Sequence, residues 1–166
     1  MRHWKKAWHN LRSTGWQARQ LFPQASVQQL EQQIALSERE HAGQLRFVLE
    51  SALDWRQALH GMTARERALQ WFGQLRIWDT EHNSGVLVYV LLAERRIEII
   101  ADRGIDRRVP AQAWQDICAS MQQSFAVGDF MDGLQQGLWR IHALLIVHAP
   151  AHGPHVNELP DTVIVR

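Results

Sequence analysis

The chain has 166 residues, 46% hydrophobic and 21% charged, with a formal net charge of +1. A chain this long folds as one domain, or one domain with an appendage, and buries roughly 70% of its unfolded surface, so it is neither disordered nor fibrous. Near-neutral charge argues against a nucleic-acid binder, the apolar run from Val86 to Ala93 is far below the roughly 20 residues that span a bilayer, and the lone Cys118 excludes an internal disulfide, a zinc ribbon and a CxxC pair.

Residues 1–22 form a basic arm, with Arg2, Lys5, Lys6, Arg12 and Arg19 and no acid. Trp4, Trp8 and Leu11 recur at helical spacing. Such a segment can lie on a membrane surface, meet a membrane-protein partner, or dock on the protein's own core; its shortness and Gly15 favour docking. No apolar stretch or cleavage site follows the lysines, so a signal peptide is not expected and a cytoplasmic protein is.

Phe22-Pro23 ends the arm, and the main domain is expected over residues 23–150. Ser26 is the expected N-cap of a helix running to about His41, striped by Val27, Leu30 and Ile34, with Gly43 as its stop. Leu45 to Glu50 alternates as a strand, with Leu45, Phe47 and Leu49 on one side and Arg46, Val48 and Glu50 on the other. Thr63-Ala64-Arg65-Glu66 is a capping box opening a helix striped by Ala68, Leu69, Phe72 and Leu75.

Val86 to Leu92 reads as a central strand buried on both faces. Arg95 to Ala101 follows across the two-residue link Ala93-Glu94, which predicts a hairpin. Pro110 opens a helix through Trp114, Ile117, Cys118 and Met121. The last helix follows Gly128 and carries Phe130, Leu134, Leu138, Ile141 and Leu145, with Gly133 and Gly137 placed for close approach to the sheet. His142 and His148 are expected at its surface and end. Residues 151–166 form a tail packing on the domain, including His152 and His155 and ending in a short edge strand within Thr162 to Val165.

This order predicts an α/β fold, a three-layer α/β/α sandwich with a small mixed sheet. The first two strands, joined by a helix, are parallel, and the third is antiparallel. With Leu92 opposite Arg95, the ladder places Gly85 opposite Asp102, so the loop entering the central strand meets the loop leaving the third.

The entering loop, Asp79-Thr80-Glu81-His82-Asn83-Ser84-Gly85, offers oxygens at alternate positions from Asp79, Glu81 and Asn83. A hard cation such as Ca²⁺ or Mg²⁺ takes oxygens of this kind, and Asp102 brings another from the second loop. It is not an EF-hand, because the glycine falls at position seven and Val90 stands where an acid belongs. The same residues also suit turn capping and a surface ion pair. No GxSxG, Walker A or GxGxxG occurs, the histidines lack zinc-site spacing, and Cys118 lies on an apolar stripe.

Two linked segments, Asp79-Thr80-Glu81-His82-Asn83-Ser84-Gly85-Val86-Leu87-Val88-Tyr89 and Glu94-Arg95-Arg96-Ile97-Glu98-Ile99-Ile100-Ala101-Asp102-Arg103-Gly104-Ile105, resemble the TPM domain family. Ser37-Glu38, His41, Gly43, Trp114 and Asn157-Glu158-Leu159-Pro160-Asp161 extend the resemblance over about residues 20–162. It implies an α/β/α sandwich and, from some members, calcium binding at one end of the sheet, with Asp79 and Asp102 at the family's acidic loop positions. Glu81 and Asn83 are the weaker candidate ligands. Two functions follow as expectations: a cation-binding accessory module or, alternatively, a metal-assisted acid phosphatase, the activity ascribed to plant members. In the second, His41 or an aspartate is the base and Arg46, Arg96 or Arg103 neutralises phosphate.

Overall fold

A computed structural model describes residues 15–151, 153 and 156–166, with side chains from residue 18 onward. Trp4, Trp8, His152 and His155 lie outside the described residues. Two helices, α1 (Gly15–Leu21) and α2 (Gln24–Ser37), precede strand β1 (Gln44–Glu50). Two more, α3 (Trp55–Leu59) and α4 (Ala64–Gln74), lead to β2 (Gly85–Leu91), and a 3₁₀ turn at Leu92–Glu94 leads to β3 (Arg96–Ala101). The short α5 (Arg103–Asp106), the long α6 (Ala111–Ala126) and α7 (Phe130–His148), and β4 (Ile164–Val165) complete the described elements.

The sheet runs β3-β2-β1-β4, with β1 parallel to both β2 and β4 and β3 antiparallel to β2. Side-chain alternation along each strand separates two cores. Leu45, Phe47, Leu49, Val86, Val88, Val90, Ile97 and Ile99 face α2, α6 and α7, packing on Leu30, Ile34, Ile117, Leu138 and Ile141. Val48, Leu87, Tyr89, Leu91 and Ile100 face α3 and α4, packing on Ala58, Ala68 and Trp71. The α/β/α sandwich expected from the element order is therefore present. Polar residues within β1 do not make an outer face: every position of β1 is buried, because helices cover both sides of a strand that sits inside the sheet.

Thr63 caps α4 with the reciprocal Thr63–Glu66 bonds read from the sequence. Other local expectations change. Helix α2 begins one residue after Pro23, whose fixed φ suits a helix entry, and Ser26 lies inside it rather than capping it. The hairpin is closed by the 3₁₀ turn and by Arg95 in the left-handed region, φ 51°. Gly133 and Gly137 bring α7 against α6, not against the sheet: a Cβ at Gly137 would stand 2.3 Å from the Met121 sulfur. His142 is 9% exposed, packed between His41 and Trp139, rather than a surface group.

Candidate cation-binding end of the sheet

The hairpin register brings the predicted loops together. Val86 pairs with Ala101, and one step further the Asp102 N–H donates to the Gly85 carbonyl at 2.8 Å. The parallel ladder places Gln44 beside Gly85, and the Gln44 N–H donates to the Ser84 carbonyl at 3.0 Å. Three chain segments thus meet at one end of the sheet.

Two glycines let their backbones touch. A Cβ on Gly85 would lie 2.0 Å from the Ile77 carbonyl oxygen, and one on Gly104 would lie 2.4 Å from that of His82. No side chain fits either gap. The Gly104 N–H donates to the Asn83 carbonyl at 3.0 Å, and the Ser84 N–H to the Thr80 hydroxyl at 2.8 Å. Asn83 takes a left-handed φ of 50°, which asparagine tolerates better than most residues.

The four expected ligands differ in placement. Asp102 is the N-cap of α5: its Oδ1 accepts the Arg103 N–H at 2.7 Å, while its Oδ2 is buried with no hydrogen-bond partner among the described residues. The Asn83 Oδ1 accepts from Arg103 Nε at 2.9 Å, so one of the expected oxygens is held by a guanidinium. Asp79 is exposed in the turn after α4, where its N–H donates to the Arg76 carbonyl. Glu81 is also exposed, and its N–H donates to Glu158 Oε2 at 2.8 Å. Among the described residues no three His, Cys, Asp or Glu side chains form a group able to hold a metal ion.

Glu158 reaches this loop from the tail because Gln44 Oε1 accepts the N–H groups of both Glu158 and Leu159, at 2.8 and 2.9 Å. Nothing local in the sequence announces that approach. Residues 79–84 and 102 stay clear of the groove of about 610 Å³ along the β3 edge, which is lined by Arg65, Glu98, Trp114 and Cys118 among others.

Two of the groups considered for phosphate chemistry, His41 and Arg46, are buried, whereas Arg96 is exposed on β3 and Arg103 is exposed beside the loops. His41 is fully buried against the His142 ring, centroids 5.4 Å apart. Arg46 is buried and donates to the Pro160 carbonyl and the Thr162 hydroxyl of the tail. Burial pushes the half-buried Cys118 thiol up to about 11, so the thiolate a nucleophile needs is scarce at neutral pH.

A separate buried cluster lies near the opposite end of β1. Glu50 accepts from Arg67 Nε (2.9 Å) and Nη2 (2.7 Å), Trp71 Nε1 (3.1 Å) and Tyr89 hydroxyl (2.7 Å). Burial acts to raise the Glu50 carboxyl, but these donors outweigh it and hold it below its ordinary range. Burial, together with the same carboxylate, pushes the Tyr89 hydroxyl upward. The cluster's donors and acceptors satisfy one another, which marks it as structural.

The family profile of the TPM domain matches residues 17–144. The fold is similar to that of the BA42 protein from the psychrophilic bacterium Bizionia argentinensis, with TM-score 0.74 and 25% identity over 84% of this chain and 92% of that one. It is also similar to the N-terminal domain of a protein from P. gingivalis, with TM-score 0.64 and 18% identity over 80% of this chain and 83% of that one. No curated protein matches.

Proposed function

The chain belongs to the TPM domain family, and we propose that it is a non-catalytic accessory module whose loop end takes one divalent cation, Ca²⁺ in preference to Mg²⁺. The observation that carries this reading is the buried Asp102 Oδ2, which no donor among the described residues satisfies at the point where the two acidic loops converge. An ionised carboxylate oxygen left bare in a protein interior is costly, and a bound cation removes that cost.

The residues fit such an ion in kind, since they offer only oxygen. Asp102 is the anchoring ligand, and Asp79, Glu81 and Asn83 are the loop donors. Calcium is favoured over magnesium because these donors come from an irregular loop, whereas Mg²⁺ demands near-ideal octahedral geometry. The site is also a weak one. Asn83 is shared with Arg103, and Asp79 and Glu81 stand exposed rather than gathered. Few fixed charges place the dissociation constant near the weak end for calcium sites, on the order of 10⁻⁴–10⁻³ M.

The cation orders the two loops, and the module then meets its partner. Docking on the domain is favoured for the basic arm with Trp4 and Trp8 by its shortness and Gly15, and we assign it a membrane-surface or membrane-protein contact as the alternative. Deleting residues 1–14 tests that assignment by liposome co-sedimentation. The acid phosphatase alternative is less well supported, because His41 and Arg46 are buried and committed elsewhere.

Thermal unfolding tests the cation reading. At 10 mM Ca²⁺ and a dissociation constant of 1 mM, one site adds about 1.4 kcal/mol, which raises Tm by about 3–6 °C in a chain of this size. Asp102→Asn should abolish the shift. A Tm indifferent to Ca²⁺ and EDTA refutes the site; phosphomonoesterase turnover that Asp102→Asn removes favours the enzyme.

A further inference from the structure

Glu38 lies in the turn after α2 and is 2% exposed. Its Oε1 accepts the Leu45 N–H at 2.6 Å. Its Oε2 is buried and meets no donor among the described residues. The neighbouring Arg46 holds Pro160 and Thr162 of the tail, and between those two residues Asp161 comes within reach of the Glu38 carboxyl. Two carboxylates are acceptors only, so as an ionised pair this contact has repulsion and no hydrogen bond. A proton held between them turns one oxygen into a donor and satisfies the other.

We propose that Glu38 keeps its proton against Asp161 and that the two act as a latch on the C-terminal segment, closed while Glu38 holds the proton and loosened when it leaves. The charged groups around the pair come from each element packed there. Arg46 of β1 faces both carboxyls and also Glu31 of α2. Its charge offsets part of the pair's, but its hydrogen bonds go to the Pro160 carbonyl and to the Thr162 hydroxyl at 3.1 Å rather than to either carboxyl. Glu31 Oε1 accepts the Val163 N–H at 2.8 Å, and Asn157 donates to Asp161 Oδ1 at 2.8 Å.

Burial pushes the Glu38 carboxyl up to about 8, with Asp161 adding to the rise and the Leu45 N–H and Arg46 opposing it. The released carboxyl returns toward the ordinary value near 4.5. Closing the latch therefore takes up a proton between these limits. The proton's contribution is complete below about 4.5, weakens by up to about tenfold per pH unit above that, and is gone above about 8. Other bonds persist: β4 stays paired with β1, and the Ser51 N–H donates to the Arg166 carbonyl at 2.6 Å. Loosening is consequently centred on residues 157–163.

The inference does not depend on cation binding. It is tested on the full chain, in EDTA, by ¹³C NMR titration of the glutamate carboxyls together with amide-exchange protection of residues 157–163 from pH 5.5 to 9. The Glu38 carbon should titrate near pH 8, and protection should fall by about tenfold or more once corrected for intrinsic exchange. Glu38→Gln keeps an acceptor for Leu45, offers Asp161 an N–H and cannot titrate, so its protection should stay within about twofold. Asp161→Asn, in case the first variant folds poorly, should lower the Glu38 midpoint by about one pH unit. A Glu38 midpoint in the ordinary range, or equal pH dependence in wild type and Glu38→Gln, overturns the latch.

Discussion

Truncating Glu50 to alanine should destabilise the protein by about 4 kcal/mol. The four donors around this carboxylate lie 2.7 to 3.1 Å from it, and Glu50 and Arg67 are only 3% and 6% exposed. Removing the carboxylate leaves a buried guanidinium without its counter-charge, at a cost of about 3–5 kcal/mol. The Tyr89 and Trp71 donors lose their acceptor too, each worth about 1–3 kcal/mol if no water replaces it. These costs overlap, because one relaxation or one entering water serves several donors, so the estimate stays inside the first range. Urea unfolding followed by Trp fluorescence provides the assay, with Trp71 beside the perturbation. At an m-value of about 2 kcal/mol/M, the midpoint should drop by about 2 M. Tyr89→Phe removes one donor and leaves the ion pair intact, so it should cost only about 1 kcal/mol. A Glu50→Ala shift below about 0.5 M, or one no larger than that of Tyr89→Phe, would refute the claim that this cluster secures the α4 face of the sheet.

The remaining predictions concern the loop junction and pH. Gly85→Ala should destabilise the fold by about 1–3 kcal/mol or more, since the new methyl meets a backbone carbonyl that cannot rotate away; a midpoint unchanged in the same urea assay contradicts the described approach of Gly85 to the Ile77 carbonyl. Glu50 and Glu38 should impose opposite pH slopes on stability. The depressed Glu50 carboxyl contributes fully above about 4.5, and its contribution is lost as pH falls through its folded value. The raised Glu38 carboxyl instead makes stability decline as pH climbs from about 4.5 toward 8. Calorimetric Tm across pH 3–9 should therefore pass through a maximum, and Glu38→Gln should flatten the alkaline side while leaving the acid side in place.

How far the sequence carries depends on the range of the interaction. Hydrophobic runs and the short link after Leu92 were enough to place Gly85 opposite Asp102, because antiparallel register propagates residue by residue from a tight turn. The Thr63 capping box was legible for the same reason: both partners lie within one helical turn. His142 was not. It sits just beside the Leu138–Ile141–Leu145 stripe, and its burial is decided by His41, which lies across the fold. Glu158 and Asp161 belong to a tail whose path is set by Gln44, Arg46 and Glu31, partners remote in the chain with no periodic signal between them. Gly133 and Gly137 marked a close approach correctly, but spacing cannot say whether a sheet or another helix fills the gap. At the candidate site, the meeting of loops was legible, whereas the guanidinium of Arg103 on Asn83 was not.

The central claim is that the loop end of the sheet holds a cation through Asp102. A Ca²⁺ titration of the ¹⁵N-labelled protein, read amide by amide, tests it most directly. Saturable shifts should concentrate in residues 79–85 and 102–105, with a dissociation constant on the order of 10⁻⁴–10⁻³ M, and should vanish in Asp102→Asn. Shifts absent from both loops, or located elsewhere and retained in Asp102→Asn, would contradict the account.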